Sequence, residues 1–156
     1  MIRVQREDFD VAAELEHLTS GRRDIGAVVS FVGLVRDFVG DGGVGDGTAG
    51  TGARIGAMTL EHYPGMTERQ LAAIEAEALA RWPLGASLIV HRHGKLEPGE
   101  RIVLVATASA HREAAFAACH FLIDWLKTKA PFWKLEATAR GPQWVAAEAS
   151  DAAAAA

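Results

Sequence analysis

The sequence carries a single cysteine, Cys119, in 156 residues. One thiol cannot close an internal disulfide, so the chain is not a disulfide-stapled module, and it suits a reducing compartment. Basic excess is also missing. Sixteen Lys and Arg against 20 Asp and Glu leave a formal charge of −4, whereas general nucleic-acid binding needs a cationic surface that displaces counterions. No stretch approaches the roughly 20 apolar residues of a membrane span. Met1-Ile2-Arg3-Val4-Gln5-Arg6 leads into no apolar run of the kind a signal peptide needs. These absences predict a soluble, cytoplasmic protein. At this length one domain is expected, able to bury about 70% of its extended-chain surface.

Familiar catalytic and binding constellations are absent too. Residues 39–53 hold seven glycines but no Gly-Lys-Ser/Thr ending, which a phosphate-cradling loop requires. A single Gly42-Gly43-Val44-Gly45-Asp46-Gly47 copy cannot build a stacked calcium-binding repeat. The stretch reads as a flexible loop. Replacing residues 42–52 with a shorter Gly/Ser linker should then change stability only modestly, because loop closure changes by about 0.6 kcal/mol per doubling of length. Denaturant unfolding checks this, and a loss of several kcal/mol, or of all activity, would show the loop to be a structured part. Cys119 and His120 are neighbours on a helical stretch, so their side chains diverge by about 100° and form no nucleophile–base pair. Cys119 reads as a small core residue. His91 and His93 share one strand face as two metal ligands could, but no third ligand accompanies them and no metal is expected. Glu61-His62 could be an acid–base pair, though a strand-end histidine is more often a structural one.

What the chain does contain is organised around residues 111–136. Ala114, Ala118, Phe121, Leu122, Trp125 and Lys129 recur at helical spacing and make one mostly apolar stripe. Ser109 can cap this helix, and Pro131 ends it by lacking an N–H and disfavouring helical geometry at Ala130. Glu113, His120, Asp124 and Lys127 form a polar stripe, in which Asp124 could pair with Lys127 on the surface. After the proline, Phe132, Lys134 and Glu136 alternate with Trp133 and Leu135 in a strand pattern. Lys127 and Lys134 therefore flank one turn.

Earlier in the chain, Ile2–Val4 reads as an edge strand, and Asp10 caps a helix running to Leu18 with Gly21 as its stop. The apolar run between Asp24 and Arg36 reads as a strand buried on both faces, with Arg36 at its mouth. Ile55–Tyr63 is a second strand. Thr67-Glu68-Arg69-Gln70 is a capping-box pattern that starts a helix ended by Pro83. Ser87–His93 and Arg101–Ser109 are further strands joined through a Pro98-Gly99 turn. Strands mixed with about three helices, without regular alternation, indicate an α+β fold with a mixed or antiparallel sheet. Residues 1–150 are read as one domain, and the all-alanine tail, within 151–156, as disordered.

Several separated segments resemble one family. Ser109-Ala110-His111-Arg112, Leu126-Lys127-Thr128-Lys129-Ala130-Pro131-Phe132-Trp133-Lys134, Leu60-Glu61-His62-Tyr63-Pro64-Gly65-Met66-Thr67-Glu68 and Arg81-Trp82-Pro83-Leu84-Gly85 look like the large, catalytic subunit of molybdopterin synthase. The likeness runs from about Asp24 to Val145. It implies the alpha/beta-hammerhead fold and a sulfurtransferase of molybdenum cofactor biosynthesis. In that family, sulfur arrives on a small ubiquitin-like partner whose C-terminal Gly-Gly ends in a thiocarboxylate. The substrate is cyclic pyranopterin monophosphate, and two sulfur transfers make the molybdopterin dithiolene. The resemblance implies no cofactor. It casts Lys127 and Lys134 as catalytic residues and Arg36, His111 and Arg112 as substrate-binding residues.

The residue chemistry agrees with that casting. Arg36, Arg112, Lys127, Lys129 and Lys134 could form a cationic patch for an anionic small substrate on an otherwise acidic chain. Arginine grips phosphate through its fork of donors, and lysine can also exchange protons. Two other readings stay open: a non-catalytic domain that receives an acidic tail on its lysines, and an acyltransferase-like enzyme that takes an activated carboxyl group onto Lys127. Geometry adds a further expectation. His111 and Lys127 lie 16 positions apart on one helix, which is about 24 Å at 1.5 Å per residue. A small pterin cannot bridge that length, so either the two residues serve different sites or a site is shared between two chains. The resemblance implies a homodimer with one small subunit at each end, a heterotetramer, which agrees with the shared-site option. The helix length then predicts that His111 and Arg112 act in trans with Lys127, Lys134 and Arg36.

Overall fold

A computed structural model describes residues 1–37, 55–138 and 141–145. The glycine-rich loop and the alanine tail lie outside them. Eleven elements follow one another among the described residues: β1 (Ile2–Gln5), α1 (Val11–Thr19), β2 (Ala27–Leu34), β3 (Ile55–His62), α2 (Met66–Arg81), β4 (Leu84–Arg92), β5 (Gly94–Leu96), β6 (Arg101–Ser109), α3 (Arg112–Thr128), β7 (Phe132–Thr138) and β8 (Gly141–Val145). They form two four-stranded sheets, ordered β1-β4-β6-β2 and β5-β3-β7-β8. Among the described residues only the β1–β4 pair is parallel; the remaining pairs are antiparallel. The expected α+β class with three helices holds.

The first sheet is covered on both faces. Ile89, Val103 and Val105 pack on one side with Ile74 and Ala78 of α2 and Cys119 and Leu122 of α3. Leu88, Val90, Leu104 and Ala106 point the other way, onto Phe9 and the α1 residues Val11, Leu15 and Leu18. Period-two alternation makes this possible, since successive strand residues face opposite layers. Arg92, buried at the edge of this core, donates from Nε to the Arg6 carbonyl and from Nη1 to the Arg101 carbonyl, each at 3.0 Å.

Three expectations need correction. The strand buried on both faces is not β2 but β4 and β6. The apolar run of β2 occupies the sheet's edge, with burial that alternates and with Val28 and Leu34 exposed. Hydrophobicity alone does not separate a central strand from an apolar edge. Ser109 does not occupy the cap of α3: His111 stands there, while the Ser109 hydroxyl donates to the Pro83 carbonyl at 2.8 Å and accepts a longer bond from the His111 N–H. The α2 capping pattern is shifted, with Gly65 at the cap (φ 80°) and Glu68 Oε2 accepting from the Gly65 N–H at 2.6 Å. A left-handed φ suits glycine, which has no Cβ to clash. Asp10 caps α1 as expected, accepting from the Ala13 N–H at 3.1 Å. The strands β5 and β8 had no counterpart in the sequence reading.

Candidate functional site

Lys127 sits in the last turn of α3, exposed to solvent. The helix beneath it is fixed by the buried residues Ala115, Ala118, Cys119 and Leu122. The Thr107 hydroxyl adds a bond to the Ala115 carbonyl at 2.7 Å. Burial pushes the Cys119 thiol up to about 11, so the side chain is a packed apolar group with no thiolate to offer. Asp124 pairs with His120 one turn back, at 2.9 Å.

The helix then closes tightly. Lys129 and Ala130 N–H groups both donate to the Trp125 carbonyl, and the Phe132 N–H donates to Ala130 at 2.8 Å. Pro131 cannot extend the helix, and β7 begins immediately after it. Lys134 lies opposite Leu60 in the β3–β7 ladder, on the same strand face as Phe132 and Glu136. Its ammonium Nζ meets Glu136 Oε1 at 2.7 Å; the Glu136 side chain is 4% exposed and that of Lys134 34%.

Arg36 follows β2 by two residues, and its position is set by its neighbour. Val35 is buried against Met58, Leu60 and Leu96. Its N–H donates to the Glu100 carbonyl at 2.9 Å, and its carbonyl accepts from Gly99 at 2.8 Å. Leu60 thus has Val35 as a packing neighbour and Lys134 as its ladder partner, which ties Arg36 to the lysine strand.

His111 and Arg112 stand elsewhere. Both are exposed at the start of α3. Ala27, at the beginning of β2, pairs with Ser109 near that helix start, while Leu34, just before Arg36, pairs with Arg101 at the far end of β6. The helix is continuous from Arg112 to Thr128, so the about 24 Å axial separation of His111 from Lys127 stands. Within one chain Lys127 and Lys134 flank the Pro131 turn and Arg36 follows Val35, which packs on the ladder partner of Lys134, whereas His111 and Arg112 stand at the other end of α3. His91 and His93 do not converge on a shared ligand site: His91 stacks on Phe132, and His93 lies against His62. Among the described residues no cluster of three or more His, Cys, Asp or Glu side chains could hold a metal.

The sequence family is decided by comparison. The family described as MoaE protein matches residues 4–129. The chain belongs to the MoaE protein family. A relative from Pseudomonas aeruginosa, named molybdopterin synthase catalytic subunit, is 56% identical over 154 residues, covering 99% of this chain and 95% of the relative. One of the same name from Mesorhizobium japonicum is 53% identical over 156 residues, covering 99% and 90%. Among solved structures, the molybdopterin biosynthesis MoaE protein from Burkholderia ambifaria has a TM-score of 0.78 at 48% identity, covering 98% of this chain and 94% of that one. Molybdopterin synthase from Staphylococcus aureus has a TM-score of 0.77 at 31% identity, covering 92% and 95%. No helix among the described residues of this MoaE family member is long and apolar enough to cross a membrane.

Glu136 was missed as a site residue by sequence reasoning. Its signal is the Lys-x-Glu spacing, which on a strand puts both side chains on one face. A buried carboxylate holding an ammonium in place is a positioning device, and removing one partner leaves the other without compensation. Glu136→Gln is expected to cost about 1–3 kcal/mol in denaturant unfolding. It should also lower turnover about tenfold through loss of a fixed Lys134. Unchanged kcat and unchanged stability would show that Lys134 does not lean on Glu136.

Proposed function

We propose that this chain is the catalytic subunit of a molybdopterin synthase, acting as a sulfurtransferase in the cytoplasm. It converts cyclic pyranopterin monophosphate to molybdopterin. Each of the two sulfurs is drawn from the C-terminal Gly-Gly thiocarboxylate of a small ubiquitin-like partner, one sulfur per thiocarboxylated molecule, which is left with a plain carboxylate. The observation that carries this reading is the pair Lys127 and Lys134 on either side of the Pro131 turn, in a chain of this family. The chain's one thiol, Cys119, is buried in the core and supplies no sulfur nucleophile here, which fits a reaction whose sulfur arrives on another protein. Lys127 and Lys134 are assigned the catalytic roles, moving protons and balancing the charge that builds up at the reacting atoms. Arg36, at the same end of α3, is assigned to the substrate phosphate, which its donor fork suits.

His111 and Arg112 complete the site from a second copy. A two-fold axis would bring the start of α3 in one chain towards its end in the other and so form two equivalent sites. Phe116, one helical turn after Arg112, is 62% exposed. A large exposed aromatic beside two cationic candidates supports a chain–chain contact there. The resulting assembly is a homodimer within a heterotetramer, with no metal or cofactor required.

The deciding experiment is product formation from the pterin substrate with a thiocarboxylated partner. Turnover is expected with the thiocarboxylate and none with a plain C-terminal carboxylate. Turnover with the plain carboxylate would overturn sulfur transfer from the partner. A lysine variant that binds the partner but makes no product excludes a pure binding module.

A further inference from the structure

Between the two sheets lies a cluster that the proposed chemistry does not use. His91 of β4 belongs to the first sheet, and Phe132, the first residue of β7, belongs to the second. Their rings are stacked, with centroids 3.7 Å apart and planes within 13°. His62, opposite Phe132 in the β3–β7 ladder, lies 6.3 Å from the same ring. His93 sits 4.3 Å from His62. Phe132 is two residues from Lys134 and shares its strand face. It also follows directly on the turn that ends with Pro131, whose carbonyl lies 3.5 Å from the buried Thr67 hydroxyl. Beside its ladders to β3 and β8, the lysine-bearing strand thus meets the first sheet through this stack.

We propose that His91 is a positioning residue for Lys134: its neutral ring, stacked on Phe132, fixes the start of β7 against the first sheet, and a proton on His91 opens that joint. This rests on the reading of Lys134 as a catalytic residue. The charges around the cluster decide the sign. His91 Nδ1 lies 2.8 Å from the Arg92 carbonyl, and that contact alone favours a protonated ring. Against it stand burial and the nearby His62 and His93. Glu68 of α2 faces His62, with Oε1 3.8 Å from Nε2. Arg6 and Glu7, from the segment between β1 and α1, act on His93 with opposite sign. From β7, the Phe132 ring is stacked on His91.

Desolvation by burial, with lesser contributions from His62 and His93, holds His91 down from 6.5 to about 4. The unfolded chain thus takes up a proton at higher pH than the folded chain. The stability of the neutral stack is complete above about pH 6.5 and is lost as pH falls towards about 4. The side-chain pairs Asp8–Arg101 and Asp24–Arg22 hold their carboxyls near about 2, so they fail in a separate, more acidic window.

The test follows two signals of the full chain with its thiocarboxylated partner, from neutral pH down to about 4. One is near-UV circular dichroism of the tryptophans, of which Trp133 adjoins Phe132. The other is turnover. Wild type should lose both reversibly with one midpoint. His91→Phe keeps an aromatic ring but no titratable nitrogen. It should retain most neutral-pH turnover and move both midpoints down by about one pH unit or more. Should His91→Phe not fold, His91→Gln should show the same missing acid transition. Phe132→Leu removes the stack and should lower kcat about tenfold at neutral pH with little change in KM. An acid midpoint shared by wild type and the His91 variant overturns the joint. A spectral transition that His91→Phe abolishes, with wild-type turnover unaffected by it, overturns instead the positioning of a catalytic Lys134.

Discussion

Lys127→Ala is expected to lose about 10²- to 10⁴-fold in turnover, the usual worth of a positioned proton-transfer group. Its stability should stay within about 0.5 kcal/mol of wild type. The contrast follows from position. Lys127 is exposed in the last turn of α3, while the residues that hold the helix down are on another face. A cation near a helix C-terminus does interact favourably with the dipole, but at an exposed site screened by salt this falls to the low end of about 0.3–1 kcal/mol. Steady-state assay and denaturant unfolding of the same preparation check the two halves. Near wild-type turnover would remove Lys127 from the chemistry. Lys134→Ala should also lower turnover. Its measured stability must be read alongside, because Glu136 would then be buried without its ammonium partner.

Mixing two inactive proteins should restore activity. One carries His111→Ala and Arg112→Ala, the other Lys127→Ala. If His111 and Arg112 serve the site of the neighbouring chain, each mixed dimer holds one site with all its residues intact and one that lacks His111, Arg112 and Lys127. A mixed dimer should then turn over at about half the wild-type rate. Subunit exchange is verified first, by mass spectrometry of differently sized chains. Verified exchange without any return of activity would show that the residues do not meet across an interface. The continuous helix motivates the experiment: its length keeps the two ends from touching one small substrate.

Legibility in the sequence followed physical locality. α1 and α3 were readable because their signals are local: Asp10 accepts from Ala13, and Pro131 ends α3. The strand pattern of β7 was equally plain, since Lys134 and Glu136 are two residues apart on an alternating segment. What failed was what depends on distant chain. The rank of β2 in its sheet is fixed by β6, about 70 residues on, and an apolar run carries no mark of whether it ends up central or at an edge. The three-residue β5 is too short to show a period, and it exists because β3 lies beside it. Likewise, Arg36 was picked out for lying at a strand mouth, but the anchor that aims it, Val35 against Leu60, is a long-range contact. The His91–Phe132 stack joins residues 41 apart, beyond the reach of any spacing rule.

The edge position of β2 has a consequence for how the isolated chain behaves in solution. Among the described residues, β2 has β6 on one side and no strand on the other. Its eight residues, Ala27 to Leu34, include no charge and no proline, and Val28 and Leu34 are 39% and 52% exposed. Natural sheets commonly guard such an edge with lysine, proline or a bulge, because free N–H and C=O groups beside apolar side chains template aggregation. Here the one irregularity comes at the last step, between Gly33 and Leu34. Concentrated stocks of the single chain should therefore form particles at a rate set by this strand. A lysine at Val28, on the exposed face, should slow that growth without touching Arg36 or either lysine.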